Sequence, residues 1–106
     1  DPRAKAVTAG KAFIELLDGA PDRAACEARL AENGNDSEAS YYLAVHQMMA
    51  DEVDAAIACL LALVRSDRAY KDDGARQLLI QLFDRLGAED PRVRAGRKQL
   101  AQLLMV

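Results

Sequence analysis

Few residues in this chain of 106 are suited to catalysis or metal binding, and they are not grouped as such sites require. Cys26 and Cys59 belong to no Cys-x-x-Cys motif, and His46 is the only histidine. A catalytic site would need Cys59, His46 and a carboxylate to meet in one pocket. A zinc site would need further ligands at close helical spacing, and none accompanies His46. We therefore predict that the chain is not an enzyme, that both cysteines are small buried side chains, and that His46 is packed and hydrogen-bonded.

Acidic pairs occur at Asp72-Asp73 and Glu89-Asp90. Both pairs stand at the predicted start of a helix, where exposed backbone amides favour acidic side chains. We interpret them as helix caps rather than as a general acid and base. The sequence also has no glycine-rich phosphate loop and no nucleophile elbow. No cofactor is therefore expected.

The elements that position these residues are helices, and the clearest are two amphipathic helices in residues 38–68, joined by a turn at Asp51. In the second helix, apolar residues recur at offsets 0, 3, 4, 7, 8 and 11, which places them on one helical face. They are Val53, Ala56, Ile57, Leu60, Leu61 and Val64. The opposite face carries only small residues, namely Ala55, Ala58, Cys59 and Ala62. We expect a neighbouring helix to pack against this small-residue face as well.

Two helices are predicted before this hairpin. The first covers residues 3–17 and ends at Gly19. The second has Pro21 at its first helical position and extends to about Glu32. Asp36 or Ser37 then caps the hairpin.

Two further helices are predicted after the hairpin. Asp72 is expected to cap the first, whose apolar stripe is Ala75, Leu78, Leu79, Leu82, Phe83 and Leu86 and which ends at Gly87. Asp90 and Pro91 begin the second, with Val93, Gly96, Leu100, Leu103 and Leu104 facing inward. Six helices form three pairs. The predicted fold is all-α, a right-handed stack of about three antiparallel helical hairpins in a single domain covering residues 1–106.

The central hairpin resembles the 34-residue tetratricopeptide pattern when Ser37 is taken as its first position. Three residues match that pattern and three depart from it: Leu43, Ala44 and Ala56 match, whereas Ser40, Asp51 and Leu63 do not. Asp51 stands where the pattern has a turn glycine, and aspartate adopts the left-handed conformation more readily than most residues.

A more specific resemblance covers residues 60–105. Its residues are Leu63-Val64-Arg65, Asp67-Arg68-Ala69-Tyr70, Lys71-Asp72-Asp73, Ala75-Arg76, Leu82-Phe83, Arg97-Lys98, Leu100 and Leu103-Leu104. In this order they resemble the C-terminal tetratricopeptide-type domain of bacterial thioredoxin-like co-chaperones, the YbbN or CnoX family. The resemblance implies a holdase surface and a chaperonin-docking element. The thioredoxin domain itself is absent from these residues, so we expect the chain to be the C-terminal part of a longer protein.

Composition and charge favour a protein partner. The net charge of −3 and the lack of a basic stripe with aromatic residues argue against nucleic acid. The longest apolar run is far shorter than the roughly 20 residues that a membrane span needs, and no signal-peptide pattern begins the chain. We expect a cytoplasmic protein that contacts neither a membrane nor nucleic acid.

The first candidate binding surface lies on the first helix of the central hairpin. Its residues are Tyr41, Tyr42, Val45, Met48 and Met49. Aromatic and methionine side chains form an adaptable apolar surface that suits unfolded client proteins. The alternative for Tyr42 and Met49 is that they fill gaps in the core.

The second candidate surface lies in residues 91–106, which contain four cations and no acidic residue. Its residues are Arg94, Arg97, Lys98, Leu103, Leu104 and Met105. These residues are a candidate docking surface for a protein partner, which the resemblance implies is a chaperonin. An ordinary solvated face with salt bridges and the pairing surface of a homodimer are the alternatives.

Overall fold

The computed structural model describes residues 17–105, and this range contains five helices and no strand. The helices are α1 (Arg23–Glu32), α2 (Ser37–Met49), α3 (Val53–Ser66), α4 (Gly74–Leu86) and α5 (Pro91–Leu104). The all-α prediction is confirmed for this range. The helix predicted at residues 3–17 lies outside the described residues except for Leu17, which packs against the core.

Aspartate side chains fix the starts of three helices. Asp36 and Asp90 each accept a backbone amide of the first helical turn, at 3.0 and 2.8 Å, as the sequence predicted. The predicted position of Pro21 is wrong. Asp22 follows it and caps α1, so Pro21 precedes the cap instead of occupying the first helical position.

The connector between α3 and α4 has an uncommon backbone conformation. Lys71, Asp72 and Asp73 adopt left-handed φ angles of 53°, 53° and 70° in succession. The left-handed region costs an L-residue roughly 1–2 kcal/mol, although aspartate tolerates it better than most. The predicted cap at Asp72 is wrong: Asp73 precedes α4, and its left-handed backbone differs from the extended backbone of residues that cap with a side chain.

Helix α3 lies at the centre of the described range and contacts α2, α4 and α5. Its predicted apolar stripe is confirmed, since all six residues from Val53 to Val64 are at most 8% exposed. The small-residue face behaves differently from the prediction. Ala55, Ala58 and Ala62 are exposed, because the neighbouring helices pack on the leucine-rich side, where Leu63 is also buried.

Helices α4 and α5 follow the sequence closely. The α4 stripe is buried except for Leu86, which is half-buried, and α4 ends at Gly87, whose φ is 95°. On α5, Val93 and Leu100 are buried. Gly96 lets the Phe83 ring approach closely, because an added Cβ would lie 2.6 Å from Phe83 Cζ.

The hydrophobic length that a bilayer requires is not reached by any helix in residues 17–105.

Candidate protein-binding surfaces

The α2 surface expected to face client proteins lies mostly in the core. Tyr41, Val45 and Met48 are 6%, 0% and 4% exposed, so their predicted exposure is wrong. The reason is that α2 packs against both α1 and α3, which leaves little of its apolar surface open. Tyr42 is half-buried and Met49 is exposed, so only these two residues of the predicted set are accessible.

Three tyrosines and a lysine form a compact cluster where α2 meets the α3–α4 connector. The Tyr41 ring makes edge-to-face contacts with Tyr42 and Tyr70, at centroid distances of 5.1 and 5.8 Å. The Lys71 Nζ atom lies over all three rings, 5.6 Å from the Tyr41 centroid, 5.5 Å from that of Tyr42 and 5.8 Å from that of Tyr70. These distances are within the range of cation–π attraction. We call these four residues the tyrosine–lysine cluster.

The ionisation states in the cluster favour this contact. A hydrogen bond with the Tyr42 side chain raises the pKa of Lys71, so the ammonium is charged at neutral pH. Burial raises the pKa of Tyr41 and of Tyr70, which keeps both phenols neutral. A positive charge therefore stands against neutral aromatic rings.

Ion pairs attach α1 to the central hairpin beside this cluster. The Arg29 guanidinium bonds both Asp36 oxygens at 2.9 Å and bonds Glu38 at 2.8 Å. The hydrogen bond from the Ala39 backbone amide lowers the pKa of Asp36 most, and the hydrogen bond from Arg29 lowers it further. These contacts keep α1 against the first turn of α2.

The second predicted surface lies on α5, where the cations differ in their partners. Arg92 pairs with Asp90 at 2.8 Å, and the Arg97 guanidinium lies 6.0 Å from the Phe83 ring centroid. Arg94 and Lys98 are exposed and form no ion pair with any residue in 17–105. They stand four residues apart, so they lie on the same side of α5.

The apolar residues of this surface lie at the C-terminal end of α5. Leu103 and Leu104 are half-buried and pack against the core, as the inward prediction required. Met105 is 85% exposed. Helix α5 therefore carries two exposed cations without an ion-pair partner in residues 17–105, in its first turn and its middle, and one open apolar side chain at its C-terminal end. Its role in binding remains a prediction.

A shallow groove of about 240 Å³ separates α3 from α5. Ile57, Leu61 and Gly96 contribute buried surface to it, whereas Asp54 and Arg92 are exposed at its edge. Arg92 is already paired with Asp90, which leaves Asp54 and Gln99 as the polar side chains of the groove that form no ion pair within the described range.

The cysteines and the histidine occupy structural positions. Cys26 is fully buried, and Cys59 is half-buried with its thiol donating to the Ser40 carbonyl at 3.2 Å. Burial raises the pKa of Cys59 to about 11, which makes it a poor nucleophile at neutral pH. His46 Nε2 donates to the Pro21 carbonyl at 3.0 Å, so its predicted role as a packed, hydrogen-bonded residue is confirmed. The Cys59 thiol and the His46 imidazole thus bond to separate backbone carbonyls, whereas the Cys26 thiol donates to the same Pro21 carbonyl as His46, at 3.8 Å.

Sequence reasoning missed Tyr70 and Lys71 as members of a site. Both stand in the connector, and the sequence marks them only as part of the co-chaperone resemblance, not as a binding surface. An aromatic residue and a lysine directly before an Asp-Asp-Gly turn were the available signal, because functional side chains are often found on loops that rigid helices position.

Comparison with known proteins assigns this arrangement of helices to a family. A family model described as tetratricopeptide repeat matches residues 17–105. An uncharacterized protein of Mycobacterium bovis and two uncharacterized proteins of Mycobacterium tuberculosis are each 37% identical to the chain over 70 residues. The alignment covers 66% of this chain but only 23% of each relative. No solved structure matches the chain.

Proposed function

We propose that this chain, which belongs to the tetratricopeptide repeat family, is a non-catalytic protein-binding module that docks through α5. Tetratricopeptide repeat domains generally mediate protein–protein interaction. Their stacked helix pairs present extended surfaces that suit this role.

The observation that carries the proposal is the pair of free cations on α5. Arg94 and Lys98 are exposed without an ion-pair partner in the described range, and α5 contains no acidic residue. An acidic patch on a partner would complement this charge and would speed its association. Met105, exposed at the end of the same helix, adds apolar contact area.

The resemblance to thioredoxin-like co-chaperones suggests which partner this is. In that family the helical domain is a chaperonin-docking element of a bacterial cytoplasmic protein. The matched relatives are much longer than this chain, which is compatible with a role as one domain of a larger protein. We infer that the partner is a chaperonin and that, of the predicted α2 surface, Tyr42 and Met49 are the residues open to unfolded clients.

The test is a pull-down of purified bacterial chaperonin with the chain and with an Arg94→Gln/Lys98→Gln variant. Cutting the chain after Lys98 would be a poor test, because it removes Leu100, which is buried. The matched control is Arg65→Gln/Arg68→Gln, which removes two exposed cations from α3 and its connector. We expect the control to retain chaperonin and the α5 variant to lose most of it. Equal recovery by both variants would refute docking through α5.

Homodimerisation is the second candidate function, and the 85% exposure of Met105 favours it. A second copy of α5 would cover this side chain across a two-fold axis. Light scattering over a hundredfold range of protein concentration tests it. We expect a mass that rises to twice the monomer value and that Met105→Gln lowers. A constant monomer mass would eliminate this candidate.

A further inference from the structure

We propose that the tyrosine–lysine cluster is a binding site for the alkylammonium group of a partner's lysine side chain, closed in this structure by the chain's own Lys71. The ammonium of Lys71 lies over the rings of Tyr41, Tyr42 and Tyr70 at nearly equal distances of 5.5–5.8 Å. Three aromatic rings around one ammonium are the arrangement by which proteins recognise alkylated ammonium ligands. Lys71 thus occupies the position of a ligand.

The cage is accessible from outside the molecule. Tyr41 is buried and forms its base, whereas Tyr42 and Tyr70 are half-buried and form its sides. Lys71 itself is exposed, so its ammonium enters the cage from the solvent side. If the Lys71 side chain moves away, a cation from another molecule reaches the same rings by the same route.

The backbone around Lys71 favours its displacement. Lys71, Asp72 and Asp73 are three consecutive left-handed residues, a conformation that persists only where surrounding contacts impose it. Release of the Lys71 ammonium removes one of these contacts and relieves part of the strain, whereas the Asp73–Arg76 ion pair still constrains the end of the connector. An incoming ammonium makes the same cation–π contact but does not require the left-handed backbone. The external ligand therefore binds the cage without the backbone strain that accompanies Lys71.

The charges that face the cage are compatible with a cationic ligand. Glu38 lies close enough to Tyr70 to influence it electrostatically, although it also pairs with Arg29. Asp73 pairs with Arg76, whereas the Asp72 side chain is exposed and forms no ion pair within the described range. With Lys71 displaced, the Asp72 carboxylate beside it in the sequence remains without an ion-pair partner in the described range.

This site deepens the proposed protein-binding function, on which it rests for its biological meaning, but its chemistry can be tested without any protein partner. Unmodified and methylated lysine both carry the positively charged alkylammonium group that the cage would bind. The probes are N-acetyl-lysine methylamide, its trimethyl-lysine counterpart and the neutral norleucine analogue. Their binding is followed by NMR of the tyrosine ring protons.

The central variant is Lys71→Ala, which empties the cage. We expect it to bind the lysine or trimethyl-lysine probe at least about tenfold more tightly than the unmodified chain does, because the competing internal ligand is gone. Shifts should be largest at Tyr42 and Tyr70, and the norleucine probe should bind weakly or not at all. Binding of the trimethyl probe alone would identify methylated lysine as the source. Binding of both probes would identify lysine in general.

Two further variants separate the cage from side effects. Lys71→Gly empties the cage with a residue that suits the φ of 53°, so it should behave like Lys71→Ala even if alanine disturbs the connector. Arg68→Ala removes a nearby exposed cation without opening the cage, and it should bind the probes as weakly as the unmodified chain.

The proposal is overturned if neither Lys71 variant gains affinity, if the norleucine probe binds equally well, or if Arg68→Ala gains as much. The Arg94→Gln/Lys98→Gln variant distinguishes this site from docking through α5. When it is combined with Lys71→Ala, probe binding should be unchanged even if chaperonin binding is lost.

Discussion

The tyrosine–lysine cluster and helix α5 differ in how their positive charges are engaged. Lys71 is surrounded by three tyrosine rings and contributes to the packing between α2 and the connector. Arg94 and Lys98 on α5 have no ion-pair partner in the described range. Changes in the tyrosine–lysine cluster should therefore alter the free energy of unfolding, whereas changes at Arg94 and Lys98 should alter binding alone.

The largest effect is expected for Tyr41→Ala. Tyr41 is 6% exposed and contacts two other rings, so its truncation leaves a cavity at the base of the cluster. We expect a loss of about 3–5 kcal/mol in the free energy of unfolding, measured by urea denaturation. Tyr42→Ala serves as the control and should cost clearly less, because Tyr42 is only half-buried. A loss below about 1 kcal/mol for Tyr41→Ala would mean that the cluster is not part of the core.

The next effect concerns the seating of α5 on the core. In Gly96→Ala the added Cβ would lie 2.6 and 2.7 Å from two atoms of the buried Phe83 ring. We expect a cost of about 1–3 kcal/mol from this overpacking. Gly34→Ala is the matched control, because its added Cβ meets no atom within 4 Å. Equal stability of the two variants in urea would show that Phe83 and α5 move apart freely.

A smaller effect should separate two substitutions of Lys71. Both Lys71→Ala and Lys71→Gly remove the ammonium from the cage, but only glycine adopts a φ of 53° without steric cost. We expect the glycine variant to be more stable than the alanine variant by about 1 kcal/mol in urea. The opposite order would indicate that the connector relaxes once the ammonium is gone, and that no backbone strain is retained there.

Acid should weaken the attachment of α1 to the hairpin. The Ala39 amide and the Arg29 guanidinium lower the pKa of Asp36 in the folded chain. A lowered folded pKa means that Asp36 stabilises the fold fully above its unfolded pKa near 3.9, and that this stabilisation is lost as the pH falls through the folded pKa. Urea denaturation from pH 6 to pH 2 should show a smaller decline for Asp36→Asn, which can still cap α2 but does not titrate. An identical decline in both proteins would exclude Asp36 as a source of acid sensitivity.

Local pattern was sufficient to predict much of the fold. The α3 stripe from Val53 to Val64 follows from its spacing, and the start of α5 follows from the adjacent Asp90 and Pro91. Both signals depend on residues that are close together in the sequence. The position of the α3 stripe and the start of α5 therefore do not depend on how distant helices pack.

The candidate surfaces depended on packing between distant residues, which the pattern of one helix does not contain. Tyr41, Val45 and Met48 match an exposed adaptable surface as well as they match a core, and contact of α2 with both α1 and α3 decides for the core. The cluster brings Tyr41 into contact with Tyr70, 29 positions later in the sequence. This contact depends on the left-handed backbone of Lys71, Asp72 and Asp73, which their residue types do not predict. Small residues such as Ala58 are equally compatible with a contact and with solvent.

The central claim, that α5 binds a protein through its free cations, is tested most directly by the dissociation constant for purified chaperonin. It should be measured for the chain and for Arg94→Gln/Lys98→Gln at low and at high salt, with urea denaturation of both proteins alongside. We expect the variant to keep its free energy of unfolding within about 0.5 kcal/mol, to bind about tenfold more weakly at low salt, and to be less sensitive to salt. Equal affinities for the two proteins at both salt concentrations would contradict the claim.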